Sequence, residues 1–177
     1  IMVSLNCDDQ WNPTCRPVAV TNNGVNISVS RLTIDGKYIG PANATYANVC
    51  ASANLRDGLL KGEVYAEDAK ANTARTTAII RCDRTPPVVS VSQQDNRLWK
   101  ILVNPRAEDK TSGVASRTFI VDDVKRDWQT YADLCGKLKL TVGAHTASVT
   151  ATDYAGNNAK SETRQFTCTV KNDDHNN

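Results

Sequence analysis

Apolar and polar residues alternate along much of this 177-residue chain with the two-residue period of a β-strand. In residues 145–153, Ala147, Val149 and Ala151 alternate with polar residues, and residues 63–67 alternate in the same way. Such segments recur about every 8–12 residues with turn residues between them, and no segment keeps a helical period. The pattern predicts an all-β chain of the sandwich type.

The predicted strands share β-branched residues and flanking turn signals. They are 1–5, 17–21, 25–34, 55–68, 73–82, 88–91, 98–103, 115–122, 137–141, 145–153 and 159–170. Asp35-Gly36 predicts one hairpin turn, and Asp57-Gly58 predicts a second inside 55–68. Residues 124–134 tolerate one short helical turn.

Two stretches of the chain resemble each other, residues 46–82 and residues 131–168. At an offset of 85 the matching pairs are Tyr46 and Tyr131, Cys50 and Cys135, Leu55 and Leu140, Gly58 and Gly143, Val64 and Val149, Ala66 and Ala151, Asp68 and Asp153, Asn72 and Asn157. The closing cysteines Cys82 and Cys168 are one residue out of step, which predicts an insertion in the final strand.

An internal repeat of this length indicates two tandem copies of one domain. The predicted domains are 1–84 and 85–177, and the second ends in a short polar tail, 171–177. Pro86 and Pro87 stiffen the boundary and lack backbone donors, so the segment cannot extend the preceding sheet.

Six cysteines allow 15 disulfide connectivities. The repeat favours one of them, in which equivalent bridges join Cys50 to Cys82 and Cys135 to Cys168, with Cys7 and Cys15 left as a third pair. Metal ligation is the alternative, but no CxxC occurs and the chain has only 2 histidines. Disulfides predict an oxidising compartment, so the expected localisation is extracellular or at the cell surface.

The charge pattern excludes several classes of partner. Lys and Arg number 21 and Asp and Glu number 19, and the two signs are interspersed, so nucleic acid and anionic membranes are not expected partners. No apolar run is long enough to predict membrane insertion. Aromatic residues make up 6% of the chain, so each core is expected to be built mainly from Val, Ile, Leu and Ala.

The second half carries a recognisable order of motifs: TPP at 85–87, EDKTSGV at 108–114, VDD at 121–123 and VGAHTASVTATDYAGNNA at 142–159. This order resembles bacterial immunoglobulin-like domains of surface proteins, adhesins and secreted enzymes. The first half departs from it, with AKAN at 69–72 in place of YAGN. The resemblance implies two tandem immunoglobulin-like β-sandwich domains of an extracellular surface or adhesin protein, and the paired cysteines make them a specialised lineage.

The sequence indicates no enzyme. Neither His145 nor His175 has a nucleophile motif beside it, and there is no GxSxG. Paired acids such as Glu108-Asp109 are better explained as solvated loop residues than as the two carboxylates of a glycosidase.

No cofactor is expected, although calcium is an open alternative. The candidate ligands are Asp83, Glu108, Asp109 and Asp153, because loops at one end of such a sandwich converge near the linker. The favoured interpretation of Asp68 and Asp153 is that each accepts backbone hydrogen bonds in its own turn.

Two further sets of residues are candidates for sites. Asn26 and Asn43 begin N-glycosylation triplets. Trp11, Trp99 and Trp128 could form a carbohydrate platform, although core or loop packing accounts for them equally well.

Three functions are consistent with these features. The first is a non-enzymatic extracellular structural or adhesion protein, in which two immunoglobulin-like modules act as a rigid spacer and contact surface. The second is a subunit of a surface filament, pilus or layer that assembles through strand or edge contacts. The third is a carbohydrate- or protein-binding accessory domain of a larger secreted protein. The expected partners are other subunits or neighbouring domains of one surface assembly, and glycans.

Overall fold

The computed structural model of the protein describes residues 1–95 and 101–170. The chain divides into two compact units, Ile1–Thr85 and Pro86–Asn177, called unit 1 and unit 2 below. Nearly all of the regular structure is β-strand. The bounds 1–84 and 85–177 stay a prediction for independently folding domains, and the polar tail 171–177 and Trp99 lie outside the described residues.

Unit 1 consists of strands and one four-residue helix. In chain order they are β1 (Met2–Cys7), β2 (Cys15–Val20), β3 (Ile27–Ile34), β4 (Lys37–Gly40), α1 (Val49–Ser52), β5 (Gly58–Asp68) and β6 (Thr73–Cys82). One antiparallel sheet has the order β4-β3-β5-β6, and β1 pairs with β2 in a separate antiparallel hairpin. Side chains of both layers form one aliphatic core, so unit 1 is a two-layer β-structure.

The alternation of β5 shows how the sequence builds this core. Leu60, Val64 and Ala66 are fully buried, and the intervening residues of the strand are less buried. Gly62 lies in the same inward row, where a Cβ atom would come within 2.8 Å of Leu5 Cδ2. The missing side chain at Gly62 therefore lets the β1–β2 hairpin approach the sheet closely.

Unit 2 follows the same order of elements. Those described are β7 (Val88–Asp95), β8 (Ile101–Glu108), β9 (Val114–Val121), β10 (Val124–Arg126), α2 (Leu134–Lys137), β11 (Gly143–Asp153), β12 (Asn158–Lys160) and β13 (Arg164–Cys168). β9 pairs with β10 and β11, and β11 pairs along its length with β13 and then β12. β7 and β8 form the second layer. The core includes Phe119, Tyr131 and Phe166.

Four local predictions are wrong. One is the single strand at 159–170, because the structure divides it into β12 and β13. The hairpin at Asp57-Gly58 does not form, because Gly58, at φ +125°, begins the continuous strand β5 and Asp57 Oδ1 accepts the N–H of Arg84 at 2.8 Å. The strand at 137–141 is also wrong: Lys137 ends α2, whose first turn is capped by Asp133. The helical turn expected within 124–134 begins later than predicted, and β10 occupies 124–126.

Three disulfides tie the chain together, and they are the pairs that the repeat favours. Cys50 in α1 joins Cys82 at the end of β6, and Cys135 in α2 joins Cys168 at the end of β13. The Cα–Cα distances are 5.6 and 5.8 Å. Cys7 and Cys15 lie opposite each other on β1 and β2. Among the described residues, no helix has the length and apolar character needed to cross a membrane.

Candidate functional site

The acidic loop of unit 2 is organised around Asp109. Its Oδ1 atom accepts backbone N–H groups from Thr111 at 3.1 Å and from Ser112 and Gly113 at 2.8 Å each. Asp109 therefore closes the TSG loop, in the manner of an Asx turn. Glu108 ends β8 with its side chain exposed.

Asp153 organises the turn between β11 and β12. Its Oδ1 atom accepts the N–H groups of Ala155 and Asn157, and its Oδ2 atom accepts the side-chain amide of Asn157 at 2.8 Å. A carboxylate oxygen of Asp153 lies within 4.8 Å of one of Asp109. The hydrogen bonds favour the turn interpretation, because they engage both oxygens of Asp153. The calcium candidates stay a prediction, and a lower unfolding midpoint after chelation would favour the cation.

Asp83 belongs to unit 1 and follows β6. Its backbone N–H donates to Asn12 Oδ1 at 2.9 Å, its carbonyl oxygen accepts Asn12 Nδ2 at 2.6 Å, and its Oδ1 atom accepts the N–H of Thr85. Asn12 has a left-handed backbone, with φ +52°, in the loop between Cys7 and Cys15. The short disulfide therefore closes a loop whose Asn12 side chain hydrogen-bonds to the backbone of Asp83 at the end of unit 1.

Asp68 in unit 1 repeats the arrangement of Asp153. It accepts the N–H groups of Lys70 and Asn72 and the side-chain amide of Asn72. The amide of Asn72 lowers the pKa of Asp68; burial opposes the shift, and the two N–H groups add to it. The same carboxylate geometry at both turns indicates a structural role.

His145 is buried, with 8% of its surface exposed, and both ring nitrogens contact oxygen acceptors. Nδ1 lies 2.5 Å from Asp122 Oδ2, and Nε2 lies 2.6 Å from the Thr141 carbonyl oxygen. The ring also stacks on Phe166, with the ring centroids 5.7 Å apart. Only the doubly protonated imidazolium can donate to both acceptors.

The electrostatics of this cluster agree with its geometry. The Thr141 carbonyl and then the Asp122 carboxylate raise the pKa of His145, against the opposing effect of burial. Burial would raise the pKa of Asp122, but the N–H of Thr146 and the ring of His145 together lower it. The sequence identified His145 as a strand residue and gave no sign of this partnership, which joins segments 23 residues apart.

The described tryptophans lie in different units and each contacts an arginine. The Arg81 guanidinium lies 5.8 Å from the ring of Trp11, and that of Arg117 lies 4.6 Å from the ring of Trp128. Trp128 and Arg117 also line a small depression of about 180 Å³ with Arg106 and Glu108. Arginine stacking accounts for both side chains without a ligand.

The two sequons differ in their surroundings. Asn26 is exposed just before β3. The Asn43 side chain pairs with the backbone of Ala19, with Oδ1 accepting the N–H at 3.0 Å and Nδ2 donating to the carbonyl at 2.9 Å. Glycosylation of either residue stays a prediction, which intact-mass measurement tests.

Sequence reasoning also missed the outer surface of unit 1. Tyr65 lies between two guanidinium groups, Arg31 at 4.4 Å and Arg75 at 4.5 Å from its ring centroid. Arg75 also forms an ion pair with Glu63 at 2.7 Å. Toward one end of the same surface, Leu59 and Ile79 expose 63% and 65% of their areas. Leu59 and Ile79 lie on the pair of strands that ends at the sheet edge, β5 and β6.

Comparisons with known proteins give few relatives. No family model matches the chain, and no curated protein matches it. Among solved structures it is similar to the fibronectin(III)-like modules of Clostridium thermocellum CbhA, with 12% identity, coverage of 99% of this chain and 98% of that chain, and a TM-score of 0.38.

A second similar structure comes from work on host cell surface retention of a 1.5-MDa bacterial ice-binding adhesin. The identity is 16%, the match covers 97% of this chain and 65% of that chain, and the TM-score is 0.47. Because both TM-scores are low, the assignment of a function depends on the residues of this chain.

Proposed function

We propose that the chain is a non-enzymatic structural or adhesion module of an extracellular protein, in which two immunoglobulin-like units act as a spacer and contact surface. The supporting observation is the long disulfide of each unit, which joins the short helix to the end of the last strand. These bridges enclose β5 and β6 in unit 1 and β11 to β13 in unit 2. Tension applied to the chain ends cannot extend the residues inside the bridge.

The side chains that could do chemistry support the same proposal. The carboxylates of Asp68, Asp109 and Asp153 hold turns, and His145 is bound on both ring nitrogens. These groups are engaged in maintaining loops, which is the use that a scaffold makes of them. The Pro86-Pro87 sequence supports a stiff connection between the units.

Single-molecule stretching of the full chain tests the spacer function. Under oxidising conditions each unit should unfold without extending the segment between its bridged cysteines, which are separated by 32 and 33 residues. A reductant should lengthen each unfolding step by roughly 110 Å, since an extended chain spans about 3.3–3.6 Å per residue. Equal step lengths with and without reductant would contradict the proposal. Binding to a glycan array would instead favour the accessory-domain function.

A surface filament or layer subunit is the second candidate, because one specific feature favours it: the long strand β6 at the edge of unit 1. Exposed edges accept strands from neighbouring molecules. Electron microscopy of the native material separates the candidates, since filaments or lattices support assembly and isolated particles support the spacer.

A further inference from the structure

The edge strand β6 leaves a row of backbone groups facing away from its own sheet. The N–H of Asp68 donates to the carbonyl of Asn72 at 3.0 Å, which fixes the alternation of the β5–β6 ladder. The backbone N–H and C=O groups of the even-numbered residues of β6 therefore bond to β5. Those of Thr73, Arg75, Thr77 and Ile79 face away from the sheet, in its plane. Within the described parts of the chain, no group hydrogen-bonds to the outward N–H and C=O groups of these four residues.

The next outward residue confirms this alternation. The carbonyl oxygen of Arg81 faces away from β5, and it accepts the N–H of Asn12 at 2.8 Å. The loop closed by Cys7 and Cys15 thus covers the C-terminal end of the edge, and the open part runs from Thr73 to Ile79.

This edge lacks most of the usual protection against strand pairing. Proteins protect exposed edges with charged side chains, proline, bulges or short strands. The charges on β6 are Arg75 and Arg81, and each is paired with an acid of its own unit, Glu63 and Asp9. β6 is ten residues long, contains neither proline nor lysine, and is rich in threonine and isoleucine. The corresponding edge of unit 2 is interrupted between β12 and β13, where Ser161 Oγ accepts the N–H of Val149 at 2.8 Å.

An apolar pair flanks the open edge in unit 1 alone. In the β5–β6 register Lys61 faces Ile79 and Leu59 faces Arg81, so Leu59 and Ile79 are diagonal neighbours on the outer surface. The repeat places Ala144 and Gln165 at these positions in unit 2. Solvent-exposed Leu and Ile beside unpaired backbone groups are the features expected of a surface that binds another strand.

The outward row of β6 is complementary to itself. When a second copy of the strand lies antiparallel with Thr77 facing Thr77, Arg75 of each copy faces Ile79 of the other, and no like charges lie opposite. Each Arg75 is already paired with Glu63 in its own unit, so its aliphatic stem is free to cover Ile79. A pair centred on Arg75 would place two guanidinium groups opposite each other, which is unfavourable. A pair centred on Ile79 would place Arg81, whose carbonyl Asn12 already occupies, next to the central pair, whereas in the pair centred on Thr77 it meets only Thr73 at the end of the ladder.

We propose that β6 of unit 1 binds β6 of a second copy of this chain, antiparallel and with Thr77 on the two-fold axis, joining two four-stranded sheets into one. The inference names the partner of the contact surface in the proposed function and rests on that function. A two-fold pair closes on itself, so it makes a dimer, and a filament would need a second contact elsewhere.

Sedimentation equilibrium of the full chain with its disulfides intact tests the dimer. We expect a monomer–dimer equilibrium whose dissociation constant rises about tenfold or more in Ile79→Lys, because the new ammonium group faces Arg75 of the other copy. Tyr38→Lys is the matched control: Tyr38 is exposed on β4, at the opposite edge of the same sheet, and this change should leave the constant unaltered. Circular dichroism checks that both variants are folded.

Two results overturn the proposal. One is a chain that stays monomeric up to its solubility limit, and the other is a dimer that Ile79→Lys does not weaken. Either result leaves the spacer function standing, because stretching measures single molecules. Failure of the stretching test alone would remove the spacer and leave the dimer.

Oxidative cross-linking tests the register. Thr77→Cys should give a covalent dimer on a non-reducing gel, because the two substituted residues face each other across the axis. Thr73→Cys, four residues away in the same outward row, should give little, because it faces Arg81 of the other copy. Equal cross-linking of the two variants would overturn pairing about Thr77.

Discussion

Unit 1 and unit 2 share the hydrogen bonds and disulfides that fix their turns and short helices. They differ in the side chains that pack the rest of each unit. In each unit a tyrosine in the segment before the short helix donates its hydroxyl to a carbonyl oxygen earlier in the chain: Tyr46 to Pro41 and Tyr131 to Asp127, each at 2.7 Å. Both close a β-turn with an aspartate, and both lock the helix to the last strand with a disulfide. The shared devices are those that satisfy backbone groups.

The differences lie in how each unit holds its smaller layer. In unit 1 the β1–β2 hairpin carries Cys7 and Cys15 opposite each other. In unit 2 the hairpin of β7 and β8 has Gln93 opposite Val103, and Val103 forms the backbone bridge to Tyr131 that Cys15 forms to Tyr46. Unit 2 instead has three aromatic side chains in its otherwise mostly aliphatic core: Phe119, Tyr131 and Phe166. A small domain can therefore hold one layer by a covalent bridge or by aromatic packing.

The turn after the third strand of each unit is likewise stabilised by a different side chain in each unit. In unit 1, Asp35 accepts two hydrogen bonds from Arg56, at 2.8 and 3.2 Å. In unit 2, Asp122 is bound by His145, which replaces the buried Leu60 of unit 1. Both turns have a left-handed backbone. The carboxylate that stabilises the turn is bound by Arg56 in unit 1 and by His145 in unit 2. In unit 2 the cation is an imidazole, and the Thr141 carbonyl and the Asp122 carboxylate raise its pKa.

The largest effect that would sharpen this comparison is expected from removing one long disulfide. Cys135→Ser with Cys168→Ser should cost unit 2 about 3–4 kcal/mol, because the bridge closes a long loop in the unfolded chain. Unit 1 should keep its stability, and calorimetry should show one of two transitions moving. Cys50→Ser with Cys82→Ser is the matched control in unit 1. If either variant lowers both transitions, the predicted domain bounds are wrong.

A smaller loss of stability is expected when the two hairpin cysteines of unit 1 are replaced by the residues at the same positions of unit 2. Cys7→Gln with Cys15→Val should lower the stability of unit 1 by about 2–3 kcal/mol, since this bridge closes a shorter loop. Denaturant unfolding measures it. An unchanged midpoint would mean that packing of Leu5 against the sheet is enough to hold the hairpin.

The interrupted edge of unit 2 should depend on one hydroxyl. Ser161→Ala leaves the N–H of Val149 without its acceptor and should cost unit 2 about 1–2 kcal/mol. Ser116→Ala is the control, because Ser116 is exposed on β9. Equal unfolding midpoints for the two variants would show that water replaces the Ser161 hydroxyl.

The smallest expected effect is a difference between the two units in how their stability depends on pH. The pKa of His145 is raised in the folded protein, so its contribution to stability is complete below its unfolded pKa of about 6.5 and is lost as the pH rises through the folded value. The unfolding transition of unit 2 should fall as the pH rises above about 6.5, while that of unit 1 changes less. His145→Leu should remove this slope and His175→Leu should keep it. A slope that survives His145→Leu would assign it to another group.

Much of this fold could be predicted because it depends on local backbone requirements. The alternation around Val64 and Val149 and the repeated cysteines indicate strands and the covalent frame. β4 was missed because it is four residues long, and the hairpin at Asp57-Gly58 was predicted wrongly because Gly58 serves to begin a strand. The same dipeptide has two uses, and only the partner strand distinguishes them.

The contacts between distant segments could not be predicted. The His145–Asp122 contact joins residues 23 positions apart, and the hydrogen bonds between Asn12 and Asp83 join residues 71 positions apart. No local sequence pattern indicates either contact. The open edge of β6 also depends on which neighbour the strand lacks, which is a property of the whole sheet.

The loop that contains Asn12 has a consequence for any strand laid along β6. Because Asn12 holds the Arg81 carbonyl, a neighbouring strand that slides toward Cys82 loses its next hydrogen bond there. The loop closed by Cys7 and Cys15 would then disfavour every alignment displaced toward Cys82 and so limit the registers open to a partner strand.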